Sequence, residues 1–280
     1  MTIIYYCAKI SIIRQITPRI ITTKRQERNY LGSAFVLYKK SAKKAIGCSI
    51  LNERLFENLE KSISVDRLSH YSNVYNTKDK KVIIQKYLLN VELSKALYFS
   101  LQTLETTLRN SIHKILSEKL NNEFWFEDEN FIHHETIKDI VNARKKISIN
   151  KIQTSGRIIS ELSFGFWSYL FGSYYQQKIW NKYIKHIFPN IPKNMAKRNI
   201  LSQRINTIKN LRNKVFHFDT IIHIKNMFEI HKELLEMIYW LNKDICNLTI
   251  EFDKFEDVYK NGETIIKDKL DNLCRRDDDL

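Results

Sequence analysis

The chain has 280 residues, a hydrophobic content of 43% and a formal net charge of +15. This length and composition allow a substantial buried core, while six glycines and three prolines leave few positions for tight turns. The composition therefore predicts a mostly helical, all-α protein with one main domain. The four cysteines are scattered, without a C-x-x-C pair or a histidine cluster at zinc-ligand spacing, so neither a disulfide framework nor a metal site is indicated.

The distribution of charge divides the chain into three segments. Residues 1–50 carry ten Lys and Arg side chains against the single acid Glu27, and they show no sustained helical period. We interpret them as a basic, irregular N-terminal extension, either a flexible arm or a translated segment upstream of the natural start. Residues 51–250 form the predicted helical domain, and residues 251–280 form an acidic, partly helical tail. The basic balance suits a polyanion such as RNA, and a solvated lysine face accounts for it equally well.

The sequence shows no sign of a membrane span or of a secretion signal. No apolar stretch reaches the length that a bilayer requires, and no basic segment precedes the apolar start of the chain. We therefore expect a cytoplasmic protein without a membrane partner and without a cofactor.

Helical periodicity dominates from Asn52, which is expected to cap a first core-facing helix. Residues 79–120 carry the longest apolar stripe and predict a central helix that is interrupted near Asn90. An aromatic loop follows at residues 121–130, and we interpret its rings as core anchors. The next predicted helix covers about residues 134–149.

In the second half, residues 162–175 contain many aromatic side chains and predict a buried helix, in which Gly165 and Gly172 allow close contact with another helix. A further helix is expected from about Lys193, and its end or a kink coincides with the motif described next. Residues 221–247 predict one more amphipathic helix.

The stretch N-L-R-N-K-V-F-H places Arg212, Asn213 and His217 in the order Arg-Asn-x-x-x-His. An arginine can hold and neutralise the oxygens of a phosphodiester. A histidine that titrates near neutral pH can move the proton of an attacking ribose hydroxyl. The two side chains together are therefore sufficient for cleavage of RNA without a metal ion.

This spacing has a geometric difficulty, because five positions on a regular helix separate Arg212 and His217 by about 140° around the axis. Either the helix is broken at the motif or a second chain completes the site. The structural alternative is a helical arginine paired with an acid and a histidine packed beside Phe216 and Phe218. Chance alone supplies roughly one such spacing in a chain of this composition.

Three separated segments resemble the Abi-like (abortive infection) proteins in their order and spacing. They are L-L-N-V-E-L-S-K-A-L-Y-F-S-L-Q-T-L-E-T-T-L-R-N-S-I-H, I-S-E-L-S-F-G-F-W-S-Y-L-F and L-R-N-K-V-F-H. The resemblance covers roughly residues 52–245. It implies a HEPN-like helical bundle, since Abi-like proteins are regarded as a branch of the HEPN superfamily, in which an Arg-x(4–6)-His motif marks metal-independent ribonucleases that often work as dimers.

By this resemblance, Arg212 and His217 are the catalytic candidates. A homodimer could bring two copies of the motif together in one composite site, which would remove the geometric difficulty. His217 would then accept the proton of the 2′-hydroxyl or protonate the leaving 5′-oxygen, while Arg212 would stabilise the charge on the transition state. The expected products carry a 2′,3′-cyclic phosphate and a 5′-hydroxyl.

Three further residues belong to the candidate site. Asn213 would orient the histidine, bind phosphate or cap a helix. Glu105 and Arg109 share one helix face at i, i+4 spacing and are expected to form an ion pair, which we interpret first as structural. Glu105 is also a candidate for polarising the site.

The sequence thus favours an endoribonuclease of bacterial phage defence, and the defence role comes from the resemblance alone. The alternative is a non-catalytic helical module that binds RNA or a partner protein and has a structural Arg-His pair. The expected partners are RNA and a second copy of the chain, with an antitoxin or another regulatory protein as a further candidate.

Overall fold

The structure is a computed structural model that describes residues 53–276, with side chains as far as residue 273. This part of the chain is all-α, as the sequence predicts, and contains no β-strand. The N-terminal extension, Cys7 and Cys48 lie outside the described residues. The helices, in chain order, are α1 (53–63), α2 (Val65–Tyr75), α3 (Lys80–Leu120), α4 (His134–Lys146), α5 (Ser155–Glu161), α6 (Phe164–Tyr169), α7 (Asn181–Ile187), α8 (Arg198–Phe216), α9 (Met227–Leu241), α10 (Lys243–Phe252) and α11 (Phe255–Arg276).

The described residues divide into two compact units. Residues 66–268 form the larger unit, which contains every candidate site residue. Residues 53–65 and 269–276 belong to the smaller unit, in which Phe56 and Leu270 are buried.

The central element of the larger unit is α3, an uninterrupted helix of 41 residues. Its first turn is closed by Asp79, whose carboxylate accepts hydrogen bonds from the N–H groups of Lys81 and Val82. An apolar stripe of side chains follows the helix into the core because its spacing matches the helical period. The fully buried members of this stripe are Leu97, Leu104, Leu108, Ile112 and Leu116.

The predicted interruption near Asn90 is wrong. The helix continues through this residue, and only 3% of Asn90 is exposed. An asparagine destabilises a helix when its side chain competes for the backbone of the helix itself. The amide of Asn90 instead bonds to the loop after α8, so the helix keeps its own hydrogen bonds.

The core surrounds α3 and is rich in aromatic rings. Trp125, Phe126, Trp167 and Trp180 are all fully buried. The interpretation of the loop aromatics as core anchors is confirmed for Trp125 and Phe126, which form a short 3-10 turn (Trp125–Glu127) between α3 and α4.

Several predicted boundaries differ from the structure. Most apolar side chains of residues 162–175 are buried as expected, although Tyr174 is 42% exposed, and the segment forms the short helix α6 and a 3-10 turn instead of one helix. A Cβ at Gly165 would meet only the Ser163 hydroxyl within 4 Å, and one at Gly172 would meet only the Tyr169 carbonyl. The predicted close approach of another helix at these glycines is therefore wrong, because the tight contacts are made by the chain's own turns.

Two further differences lie in the C-terminal half. The helix expected from Lys193 begins at Arg198, and the region expected as one helix over residues 221–247 contains α9 and α10. Asn242 ends α9 with an extended backbone, and its side chain accepts the N–H groups of Asp244 and Ile245 at the start of α10. An asparagine cap therefore divides an otherwise amphipathic pattern.

The acidic tail is helical, as predicted, over the length of α11. Gly262 allows α11 to approach α3 closely, since a Cβ at this position would lie 3.0 Å from Cδ1 of Leu89. Among the described helices, none combines the length and the apolar composition that crossing a membrane would require.

Candidate functional site

The candidate site lies on the antiparallel pair of helices α3 and α8. Three contacts define the direction of this pair: Asn90 meets Asp219, Tyr98 stacks on Phe216, and Glu105 bonds to Arg212. Residue numbers thus rise along α3 while they fall along α8. This pairing holds the motif against one face of the central helix.

Arg212 is held in place on three sides. Its Nε donates to Oε2 of Glu105 at 3.0 Å, and its Nη1 lies 3.4 Å from Oδ1 of Asn213. Its guanidinium carbon is 4.3 Å from the centre of the Phe216 ring, which itself stacks on Tyr98 at a centroid distance of 5.2 Å. The guanidinium is thereby fixed by an ion pair and by a cation–π contact.

The arginine nevertheless keeps donors for a ligand. A guanidinium carries five N–H bonds, and Glu105 and Asn213 occupy two of those on Arg212. The side chain of Arg212 is 23% exposed. The fixed orientation and the remaining N–H groups suit the oxygens of a phosphate.

The expected ion pair between Glu105 and Arg109 is wrong. Glu105 reaches across to Arg212 on α8, whereas Nε of Arg109 donates to Oδ1 of its neighbour Asn110. The spacing rule predicts which side chains share a helix face, but it says nothing of a competing partner on another helix. Arg212 is a partner of this kind because α8 packs against α3. The structural alternative expected Arg212 to pair with an acid, and Glu105 is that acid.

The structure differs from that alternative at His217. Helix α8 ends at Phe216, and His217 is its C-cap residue, with φ −96° and ψ 8°. The prediction that the motif lies at a helix end is confirmed. The imidazole is exposed, and in the part of the chain that the structure describes it forms no hydrogen bond, ion pair or ring contact. It is therefore accessible to a substrate.

The backbone turns sharply directly after His217. The N–H of Phe218 bonds to the carbonyl of Val215, and the N–H of Asp219 bonds to that of Lys214, the two hydrogen bonds of a Schellman motif. Phe218 occupies the left-handed position of this motif, with φ 59°. Glycine is usual at this position, because a side chain there costs about 1–2 kcal/mol.

Asn90 anchors the loop that follows and is the functional candidate that sequence reasoning missed. Its Nδ2 donates to the carbonyl of Asp219 at 3.1 Å, and its Oδ1 accepts the N–H groups of Ile221 at 2.7 Å and Ile222 at 3.3 Å. The signal was present as a polar residue inside an apolar stripe, but its partners lie about 130 positions away in the sequence. Asn90 therefore fixes the chain just beyond the histidine.

Helix α2 contacts the same loop from another direction. Burial raises the pKa of Tyr71 and the nearby Thr220 side chain lowers it in part, and the rings of His70 and His223 lie 6.3 Å apart. Partial burial, together with Lys214 and His70, lowers the pKa of His223. Lys214, His70 and His223 therefore lie near the loop after His217.

Two other histidines have structural roles. His231 lies in the core, where its Nε2 is 2.9 Å from Oδ2 of Asp253, and Ser100 donates to the same oxygen. Burial by itself would raise the pKa of Asp253, but the bonds from His231, Ser100 and the Phe255 N–H lower it on balance. Burial also lowers the pKa of His113, whose Nδ1 accepts the indole N–H of Trp125. Each of these two histidines therefore has a hydrogen-bond partner within the fold.

The described residues contain no group of three His, Cys, Asp or Glu side chains that could hold a metal ion. The chain matches no protein-family model, no curated protein and no solved structure. The resemblance to the Abi-like proteins therefore stays a prediction. The geometry brings Arg212, Asn213 and Glu105 together, with His217 at the end of the same helix, and leaves Arg109 outside this group.

Proposed function

We propose that this protein is a metal-independent endoribonuclease of the HEPN type, which acts in abortive-infection defence of a bacterium against phage. The observation that supports the proposal best is the contrast within the motif. Arg212 is fixed by Glu105 and Phe216, while the His217 imidazole is exposed and without a partner in the described chain. A fixed cation and an accessible proton carrier at the end of one helix suit the transfer of a phosphoryl group.

The reaction is an attack of the ribose 2′-oxygen on the adjacent phosphorus. A bond forms between the 2′-oxygen and phosphorus, the bond from phosphorus to the 5′-oxygen breaks, and the products carry a 2′,3′-cyclic phosphate and a 5′-hydroxyl. One proton leaves the 2′-hydroxyl and one arrives at the 5′-oxygen. Arg212 stabilises the negative charge that develops on the phosphate oxygens.

The two proton transfers favour a homodimer as the catalytic unit. One chain supplies a single His217, and a second copy would supply another on the opposite side of the phosphate. We place Asn213 and Glu105 as positioning residues of Arg212, because both bond to its guanidinium. Arg109 has no such contact, and its role in the proposal is limited to attraction of RNA.

The biological setting of the proposal rests on the sequence resemblance. Cleavage of cytoplasmic RNA would stop the growth of an infected cell, and an antitoxin or another regulatory protein would keep the enzyme inactive before infection. The net charge of +15 supports RNA as the partner, because basic side chains bind phosphates and release counterions.

The direct test is an RNA cleavage assay in EDTA with purified protein and with the variants Arg212→Ala and His217→Ala. Removal of a general acid–base group lowers the rate by about 10²- to 10⁴-fold, and we expect losses in this range for His217→Ala. The product ends should be a 2′,3′-cyclic phosphate and a 5′-hydroxyl. DNA of the same sequence should remain intact because it lacks the attacking hydroxyl.

Arg109→Ala is the matched control, because it removes an arginine from the same surface without touching Arg212. The variants should first be compared by circular dichroism and thermal melting, so that a loss of activity is not a loss of fold. An inactive parent protein, or an Arg212→Ala variant that cleaves as fast as Arg109→Ala, would support the non-catalytic RNA- or protein-binding module instead.

A further inference from the structure

Phe218 is the bulky exception among the residues with a left-handed backbone. Of the described non-glycine residues with positive φ, the others are Ser64, Asn76 and Asn121. Asparagine tolerates this conformation because its short polar side chain bonds locally, whereas a phenylalanine has no such compensation. The helix end at residue 218 therefore carries strain that a glycine would remove.

Packing does not explain why a phenylalanine occupies this position. The side chain of Phe218 is 72% exposed, and its ring contacts no other aromatic ring in the described part of the chain. Exposure of a large apolar ring and a strained backbone are both unfavourable, and they coincide at the residue that follows His217. Strain of this kind is concentrated at binding and catalytic sites.

The backbone beneath the ring is rigidly held. Asn90 bonds to the carbonyl of Asp219, and the N–H of Asp219 closes the helix at Lys214. Tyr71 reaches the loop at Thr220. The ring thus projects from an anchored backbone, and an anchored backbone loses little conformational freedom when a ligand binds.

The ring has an acidic neighbour, Asp219, directly after it in the chain, and basic residues before and after it. Lys214 lies one turn before it on α8, and the imidazoles of His223 and His70 lie beyond it in the loop and on α2. An exposed aromatic ring with the Lys214 ammonium one turn away on α8 fits a flat, uncharged group that is attached to a phosphate.

We propose that Phe218 is a stacking platform for the nucleobase next to the phosphate that Arg212 and His217 hold. The proposal rests on the proposed function for the identity of that phosphate. Stacking tolerates any base, so Phe218 contributes affinity for single-stranded RNA and little preference for sequence. A double-stranded RNA is a poor ligand for the platform, because its bases are already stacked on one another.

The test measures binding and cleavage separately. Binding is measured on the His217→Ala protein by fluorescence anisotropy with an eight-nucleotide single-stranded RNA that contains one 2-aminopurine. In this His217→Ala protein, the second substitution Phe218→Leu keeps the apolar volume but removes the aromatic face. It should weaken RNA binding by about 5- to 100-fold. The second substitution Phe218→Trp, in the same background, should retain the RNA affinity and the change in 2-aminopurine fluorescence on binding.

Phe218→Gly separates the platform from a structural role. It should weaken RNA binding as much as Phe218→Leu does, and it should raise the melting temperature by about 2–4 °C because the strain at φ 59° is removed. The matched control is Phe252→Leu, the same substitution at another exposed phenylalanine of the larger unit. It should leave RNA binding unchanged.

The outcomes distinguish this proposal from the cleavage proposal. Unchanged binding with Phe218→Leu and Phe218→Gly, or no binding by the parent protein, overturns the stacking platform. A shift in oligomeric state with unchanged RNA affinity also overturns it and assigns Phe218 to a protein contact. Weaker binding with Phe218→Leu in a protein that cleaves no RNA supports the platform and refutes the nuclease.

Discussion

The histidines at 217 and 231 represent two contrasting regions of this molecule. His231 lies in the core, where its side chain is 8% exposed, and bonds to Asp253, which Ser100 also contacts. His217 ends α8 at the surface, and its ring has no partner in the described chain. The fold pairs the first histidine with a buried acid and leaves the second available.

The comparison shows that residue type alone does not identify a catalytic histidine. Ser100, His231 and Asp253 have the composition of a catalytic triad, but both the serine and the histidine bond to the same carboxylate oxygen. The serine is therefore bonded to the acid and not to the base, and all three groups are buried. At the surface site, the arrangement is reversed, since the cation is fixed and the imidazole remains open.

The largest expected effect is that the two histidines differ in what their removal changes: His217 affects the cleavage rate and His231 affects the stability. His217→Ala should lower the cleavage rate by about 10²- to 10⁴-fold. It should change the free energy of unfolding by less than about 0.5 kcal/mol, because the removed side chain is exposed and has no hydrogen bond or ion pair in the described chain. Cleavage kinetics and urea denaturation of the same preparation measure both. A large loss of stability would show that the ring has a structural partner.

His231→Ala should show the opposite behaviour. Removing one partner leaves a buried carboxylate without its main charge-assisted hydrogen bond, and the expected loss in unfolding free energy is about 3–5 kcal/mol. At a temperature at which the variant is folded, its cleavage rate should equal that of the parent. Urea denaturation monitored by the circular dichroism of the helices gives the stability. A stable variant would mean that Ser100 and the Phe255 N–H together satisfy Asp253.

Asn90→Ala should have an intermediate effect on both quantities. It leaves the buried N–H of Ile221 without an acceptor and should cost about 1–3 kcal/mol of unfolding free energy. The cleavage rate should also fall, because the loop after His217 loses its anchor. Gln85→Ala is the matched control, since Gln85 is a buried amide on the same helix that bonds to the carbonyl of Glu263. Equal activity of the two variants would remove Asn90 from the site.

The pH dependence of stability should identify the core pair. The folded-state pKa of Asp253 lies below its usual value of 3.8, so its contribution to stability is present above that value and is lost as the pH falls through the folded pKa. The stability difference between the parent and Asp253→Asn should therefore narrow as the pH is lowered from about 5 toward 2. A difference that stays constant with pH would place the stabilisation elsewhere than in the carboxylate charge.

A small effect on both stability and activity is expected at Glu105. The Glu105–Arg212 pair is partly exposed, and Glu105→Ala should cost about 0.2–1 kcal/mol of unfolding free energy. The cleavage rate should fall by less than with Arg212→Ala, because the arginine remains but is less fixed. Glu105→Gln, which keeps a hydrogen-bond acceptor, should restore part of the lost rate. No rescue by glutamine would indicate that the carboxylate charge itself matters.

The sequence predicted the central helix and the aromatic core well, because both follow from local patterns. The apolar stripe over α3 repeats with the helical period, and Trp125 and Phe126 are large aromatic side chains of the kind that a fold buries. The break within residues 221–247 was missed, since Asn242 acts as a cap only where the chain around it turns. The predicted interruption at Asn90 was wrong because the partners of its side chain belong to a segment that is distant in the sequence.

For the candidate site, the sequence determined the residue types and their order, which specify a cation and an imidazole at the end of one helix. The tertiary structure decided which partner each side chain has and how far it is exposed. Because α8 packs against α3, Glu105 forms its ion pair with Arg212 and not with Arg109. Because α8 ends at Phe216, His217 is exposed, and it is followed by Phe218 with its strained backbone. The reason is physical: helical periodicity acts over a few residues, whereas ion pairs, burial and loop anchoring depend on side chains that only the fold brings together.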